Sequence, residues 1–339
     1  MAALGPMLAA CGQNATTSGA SPSACGASAK PEQTNVTFAQ EWLPWAAYAP
    51  EWTAQEHGYY KAEGLNVNII TPASGSDPVR LVGTGKAEFG VTQPATVIVA
   101  AGKQGLPIES VGATLRREAD GLFYNPDSGI KSPQDLKGKT IGVNPIPNAL
   151  AFTNTLLASA GLTKNDVKIV DPGFSATELV LTNKIAAGWG FVYFEGSIYK
   201  LQTGKAPGFL LWTDYGVPSM YQQVVIANTQ WLPQHPCTAA AFMRATRKGL
   251  EDFLKNPQSI TPVMTAHNQA TTLVMQNQMA QDSAYNWTDN TTKAHGVFYQ
   301  DLSVWTKAQQ YMKDQGMIDT VIDPNKYFTN AYLDTTPSS

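Results

Sequence analysis

The sequence predicts an α/β chain folded as two lobes, followed by a helical tail. Three observations carry this prediction. The chain has 339 residues, which is long for a single core and suggests about two domains. From Val36 to Leu115, short apolar runs with β character alternate with helical patterns, which argues for a mostly parallel sheet covered by helices. The same pattern restarts near Lys139, and a last buried strand appears at Val224–Asn228 before the chain turns helical.

The chain begins MAALGPMLAA, followed by Cys11. Leu8-Ala9-Ala10-Cys11 resembles a bacterial lipobox, whose cysteine carries lipid, and the apolar run before it fits the end of a signal segment. No Lys or Arg precedes Lys30, so residues 1–11 read as a truncated signal. Residues 12–35 are rich in Ser, Thr, Ala, Gly and Asn, bury too little apolar area to fold, and read as a flexible tether. Cys11 is assigned to lipid and Cys25 falls in the tether. Cys237 is then alone in the body, and no structural disulfide within the folded body is expected. A net charge of −3 with no basic run gives no argument for nucleic acid. No apolar stretch of about 20 residues is present, which leaves lipid as the only expected membrane link.

The body opens with the strand Val36–Ala39 and a loop carrying Trp42, Trp45 and Tyr48, with Trp52 in the helix beyond it. Open α/β sheets bind ligands at the C-terminal ends of strands. Aromatic rings there either line a pocket for a flat organic solute or pack in the core. Leu65–Ile70 alternates as a strand. Asp77 and Pro78 then cap a helix, with Gly75 and Ser76 offering backbone N–H groups suited to polar or anionic ligand groups. Ala87–Thr92 is a strand, Gln93-Pro94 starts a helix to Gly102, and Ile108–Leu115 is a strand followed by Arg116.

Gly121–Tyr124 begins the second part. Thr140–Val143 is a strand, Asn144–Asn148 a loop and Ala149–Ala160 a helix. Val167–Val170 is a strand, and Ser175 with Glu178 has capping-box spacing. Gly188–Phe194 is an aromatic-rich strand with Glu195 after it, and Leu210–Trp212 is another. In the tail, Phe242, Ala245, Gly249, Leu250 and Phe253 share one helix face that stops at Asn256-Pro257. Further helices fit 258–266, 270–283 and 293–315.

No residue pattern points to catalysis, metal or cofactor. His57, His235, His267 and His295 have no metal-ligand spacing. Gly173–Thr177 ends in Thr and is not a nucleophile elbow. Gly83-Thr84-Gly85 lacks the context of a phosphate loop. A structural or adhesive lipoprotein has no need of aromatic loops at strand ends.

The segments WLPWAAYAPEWTAQEHGYYKAEGLNV, GTGKAEFGV, SGIKSPQDLKGKTIGV, YFE, DYGVP and AFMRATRKGLEDFLKNP span the chain from Val36 to Pro257. In order and spacing they resemble ABC-importer solute-binding proteins of the thiamine-pyrimidine, riboflavin, sulfonate and nitrate group, the thiamine-pyrimidine-synthase-like superfamily. The resemblance implies a periplasmic-binding-protein type II fold, two doubly wound lobes with a hinge and a helical C-terminal tail. Residues 36–120 plus 222–339 would form lobe 1 and 121–221 lobe 2, with the ligand in the cleft. It implies a monomer outside the cytoplasmic membrane that passes a small-molecule solute to permease subunits. Carried over, the ligand contacts are Trp42, Trp45 and Tyr48 in the first loop and Gly75 and Ser76 in the second. Thr92, Gln93, Asn144, Glu195 and Tyr221 complete the set. Rings would stack on a heterocycle and Glu195 would accept hydrogen bonds from ring amines. The pyrimidine binders and their enzymatic cousin carry a histidine where Tyr48 stands, and the cousin a cysteine-rich motif, absent here. The pocket is therefore expected to be more aromatic, and larger heterocycles such as riboflavin suit it as well. A sulfonate or nitrate would need cationic donors. Arg80 and Arg116 are the candidates, and both are expected on solvated faces.

Overall fold

The computed structural model describes residues 25–71, 77–145, 147–173 and 175–334. The first stretch forms β1 (Asn35–Ala39), α1 (Ala49–Glu56), α2 (Tyr59–Ala62), β2 (Asn66–Ile70), α3 (Asp77–Gly83), β3 (Phe89–Thr92), α4 (Pro94–Val97) and β4 (Ile108–Ala113). The middle forms β5 (Asp120–Tyr124), β6 (Thr140–Gly142), α5 (Pro147–Ser159), β7 (Lys168–Val170), α6 (Ala176–Leu181), β8 (Ala187–Phe191), α7 (Glu195–Thr203) and β9 (Gly208–Leu211). β10 (Val224–Asn228) leads into α8 (Pro236–Lys255), α9 (Thr261–His267), α10 (Leu273–Ser283), α11 (Asn290–His295) and α12 (Leu302–Asp314).

Two five-stranded sheets result, ordered β2-β1-β3-β10-β4 and β7-β6-β8-β5-β9. The chain crosses to the second sheet between β4 and β5 and returns between β9 and β10. The sheets are mixed, not mostly parallel. β1 is parallel to β2 and β3, but β10 runs antiparallel to β3 and β4. Likewise β6 is parallel to β7 and β8, while β5 is antiparallel to β8 and β9. The reversed strands are those by which the chain enters a sheet from the other lobe. A strand delivered that way is not bound by the βαβ crossover that keeps its neighbours parallel.

One face of the first sheet is packed by α1 and α8. Gly249 permits their close approach, since a Cβ there would lie 2.1 Å from the Pro50 carbonyl oxygen. Beneath them Phe89 stacks on Phe242 with centroids 4.2 Å apart, and burying each such ring contributes about 1.5–3 kcal/mol. The opposite face buries Val79, Val97, Ile98, Trp305 and Met312. The second sheet buries Leu122, Ile141 and Leu156 on one side, and Phe123, Val180 and Tyr199 on the other.

Two expectations fail. The tail helix 293–315 divides at Gly296, whose φ of 87° leaves the helical region. Phe298 then runs beside the sheet, accepting from the Ala113 N–H at 2.9 Å, before α12 begins. The placing of Cys25 in a flexible tether, with no structural disulfide in the body, is also overturned, because Cys25 is buried and bonded to Cys237 at the start of α8. Glu32 reinforces the joint by accepting from the N–H groups of Cys237 (3.1 Å) and Thr238 (2.8 Å), an anion at a helix N-terminus. A bond across 212 residues leaves no local pattern from which to read it. Among the described residues, no helix is long and apolar enough to cross a membrane.

Candidate functional site

The loop after β1 is held at two points. Gln40, fully buried, donates to Trp42 O (2.5 Å) and Thr71 Oγ1 (3.1 Å) and accepts from Trp52 Nε1 (2.9 Å). Pro44 O accepts from Asn268 Nδ2 (2.9 Å) and Gln276 Nε2 (3.1 Å), which straps the loop to α10 and to the turn before it. Between the straps Trp42 stays on the surface, 40% exposed, while Trp45 and Tyr48 turn inward. Trp45 stacks on Tyr193 (centroids 5.6 Å apart, planes 21° apart) and meets Phe194 edge-on at 4.8 Å. Tyr193 and Phe194 follow β8, so rings from the two lobes lie against each other.

Carboxyl groups surround this contact. Thr92, at the end of β3, donates to Glu41 Oε1 at 3.2 Å, yet burial pushes the Glu41 pKa up to about 8. Asp120 opens β5 opposite Phe191 and accepts from Trp189 Nε1 at 3.0 Å. Burial raises the pKa of both Asp120 and Glu118, and the charge of Asp120 raises Glu118 further. Glu195, the first residue of α7, folds back over β8 and accepts from the Phe191 N–H at 2.8 Å. Gly190 makes room for it, since a Cβ there would lie 2.7 Å from Glu195 Cβ. Burial brings the Glu195 pKa to about 7. Burial first, and then these carboxylates, hold the Tyr48 and Tyr193 phenols well above their usual range, as neutral O–H donors.

Several buried polar atoms here have no well-formed hydrogen bond among the described residues, and only poorly aligned neighbours in the Tyr48 hydroxyl, the Trp212 indole and the Met220 backbone. These atoms are the Trp45 indole nitrogen, Gln223 Oε1, Asp120 Oδ1 and Glu118 Oε2. Such groups are rare in folded proteins and cost about 1–3 kcal/mol each when left unpaired. The junction therefore combines flat aromatic faces with hydrogen-bond acceptors. Gln93 also spans the lobes, accepting from Asn148 Nδ2 at 3.0 Å, and Ser197 on α7 donates to Asp282 on α10 at 2.8 Å. Beside that second link a recess of about 370 Å³ opens, lined by Val192, Lys200, Phe209 and Tyr285 among others.

The other expected residues have local partners of their own. Asn144 donates to Asp171 Oδ1 and Gly173 O within its own lobe, both at 3.2 Å. Tyr221 stands at the return crossing, beneath the Arg116 guanidinium at 4.6 Å, and its hydroxyl accepts from the Asp301 N–H at 2.6 Å. Arg116 is not solvated. It is 3% exposed and bonded to Asp289 (3.0 Å), Asp301 (3.4 Å) and the Tyr299 carbonyl. Arg80 is exposed as expected, paired with Asp77 at 2.9 Å. Gly75, Ser76 and Cys11 lie outside the described residues. Sequence reasoning passed over Glu41, Asp120 and Tyr193. Tyr193 stands in the quoted YFE segment and Glu41 inside the aromatic loop, so both had a signal. Asp120 had none, since Trp189 lies 69 residues away. One group of described residues, Cys25, Glu32 and Cys237, has metal-ligand proximity, but both of its sulfurs are spent in the disulfide.

A family model described as NMT1/THI5 like matches residues 45–260. The riboflavin-binding protein RibY of Chloroflexus aurantiacus is 28% identical over 331 residues, 94% of this chain and 92% of that protein. A formylaminopyrimidine-binding protein of Halalkalibacterium halodurans is 26% identical over 274 residues, 80% and 82% of the two chains. A 4-amino-5-hydroxymethyl-2-methylpyrimidine phosphate synthase of Schizosaccharomyces pombe is 26% identical over 312 residues, 88% and 86%. Among solved structures, the periplasmic aliphatic sulphonate binding protein SsuA of Escherichia coli superposes with a TM-score of 0.67 at 14% identity. That match covers 91% of this chain and 94% of SsuA, a likeness of fold.

Proposed function

The chain belongs to the NMT1/THI5-like family, and from that premise we propose that it is the extracytoplasmic solute-binding protein of an ABC importer. Its solute is a small aromatic heterocycle bearing amino groups, such as a thiamine pyrimidine precursor, captured between the lobes. The observation that carries this reading is the meeting of Trp45 and Tyr193 from opposite lobes, beside Glu41, Asp120 and Glu195. Aromatic faces stack on a flat ring, and carboxylates accept from its N–H groups. Rotation of residues 36–120 with 222–339 against residues 121–221, about the two crossings, would part Trp45 from Tyr193 and admit the ring. Riboflavin or another larger heterocycle is the nearest alternative, supported by the likeness to a riboflavin-binding protein.

A sulfonate or nitrate fits less well. It needs cationic donors, and the two arginines considered for that role are engaged by carboxylates at the hinge and on the surface. A synthase reading is weakened by Tyr48 standing where the resemblance expects histidine. Disulfides persist in oxidising compartments, so Cys25–Cys237 supports a place outside the cytoplasm. A lipid anchor at Cys11, a monomeric state and permease subunits as partners belong to the same reading.

The test is a thermal-shift screen against aminopyrimidines, riboflavin, aliphatic sulfonates and nitrate, because a ligand that binds only the folded state raises the midpoint. We expect a rise with an amino-substituted heterocycle, and a Trp45→Ala affinity for it at least about tenfold weaker by calorimetry. A rise with sulfonates or nitrate alone would overturn the aromatic site.

A further inference from the structure

The C-terminal segment covers the free edge of the first sheet. β4 is an edge strand, and residues 327–329 run parallel beside it. The Ser110 N–H donates to Tyr327 O and the Thr329 N–H to Ser110 O, both at 2.8 Å. Gln300 stitches the layers together. It accepts from Ser110 Oγ (2.7 Å) and donates to Thr329 O (3.2 Å), and its N–H donates to Asn330 Oδ1 (3.0 Å). Asn330 Nδ2 returns a bond to Gln300 O at 2.9 Å. Walls tied by such reciprocal bonds are fixed in place. They border an open recess of about 550 Å³ whose lining includes Glu109, Tyr299, Phe328 and Tyr332.

Glu109 stands apart from the other lining groups. Among the described residues its carboxylate has neither a hydrogen-bond donor nor a cation, and burial alone acts on it, raising its pKa to about 7. The Tyr332 phenol, in the same recess, is raised to about 12 by burial and by the charge of Glu109. The carboxylate of the other recess differs, since Asp282 already has Ser197, Gln278 and Lys200 around it. A partly buried carboxylate with no counter-charge is unfavourable and favours a cationic partner.

We propose that the recess beside Glu109 is a second binding site, separate from the inter-lobe cleft, for a small organic ammonium ion. Glu109 supplies the counter-charge, and the rings of Tyr299, Phe328 and Tyr332 surround the carbon groups of the cation. An N⁺–H···O⁻ bond and cation–π contacts suit this combination. A hard metal ion does not, because it takes about six to eight oxygens. Here there is one carboxylate, and the amide oxygens of Gln300 and Asn330 already accept hydrogen bonds. An anion is repelled by Glu109.

The experiment is an NMR titration of the whole protein with n-butylammonium chloride, at matched ionic strength and about pH 8, where Glu109 is mostly ionised. n-Butanol serves as the neutral control. We expect saturable shifts of the Tyr299 and Tyr332 ring resonances, at least about tenfold weaker binding in Glu109→Gln, and no saturation with butanol. Tyr299→Leu, at a partly exposed position, should also weaken binding and covers the case in which the Glu109 variant does not fold. The proposal is overturned if the wild type does not saturate, if Glu109→Gln binds equally well, or if butanol binds as tightly. None of these outcomes depends on what the cleft takes.

Discussion

Glu51 lies on α1 at 1% exposure, with Oε2 lacking a partner among the described residues. Burial raises its pKa to about 8, as it does that of Glu41, and that of Glu195 to about 7. Each binds its proton more tightly in the folded chain than in the unfolded one, where a glutamate titrates near 4.3. The stability they contribute is complete below that value and is lost as pH rises through the folded pKa. The carboxylates shifted downward, Glu32, Asp135, Asp166 and Asp252, titrate below that window and leave it undisturbed. The ligand-free protein should therefore melt higher at pH 5 than at pH 8, with a shallower dependence in Glu51→Gln. A midpoint that climbs from pH 5 to pH 8 would refute this. Little of this is legible in the sequence. The aromatic loop marks Trp45 and Tyr48, because rings beyond a strand are visible in one dimension. How deeply a glutamate is buried depends on what closes over it, and Tyr193 comes from the other lobe.

Arg116 follows β4 and Tyr221 precedes β10, so one cation sits at both crossings between the sheets. Its guanidinium reaches Asp289 just before α11 and Asp301 just before α12, and thus fastens the hinge to the tail helices. Lysine keeps the charge but not the planar fork. Arg116→Lys should lower unfolding stability by roughly 1–3 kcal/mol, read from the urea midpoint at unchanged slope. An unaltered midpoint would mean that the network does not hold the crossings. At this scale the sequence is most readable. Period-two runs located the strands, and the hydrophobic face from Phe242 to Phe253 located α8. Strand direction was not readable for β5 and β10, because direction depends on where the chain arrives from. Arg116 was misread because its carboxylate partners lie 173 and 185 residues further on.

The two-lobe plan could be read from the restart of the βα pattern and the late return of a buried strand, since both are features of order along the chain. The Cys25–Cys237 bond could not, because it joins a stretch too polar to look folded to the first turn of α8. That bond has a mechanical consequence. All ten strands of the described residues lie between its two sulfurs. Tension applied from one side of Cys25 to the far side of Cys237 travels through a covalent bridge and bypasses both sheets. In a single-molecule pulling experiment the oxidised chain should yield only the extension of its C-terminal helices. Reduction should release a further length of about 70 nm, at about 3.4 Å for each of the 212 residue steps between the two cysteines. Equal extension before and after reduction would rule out the bridge. With it in place, residues 26–236 are held out of the load path, and force along the chain reaches them only through the side-chain contacts of the helices beyond Cys237.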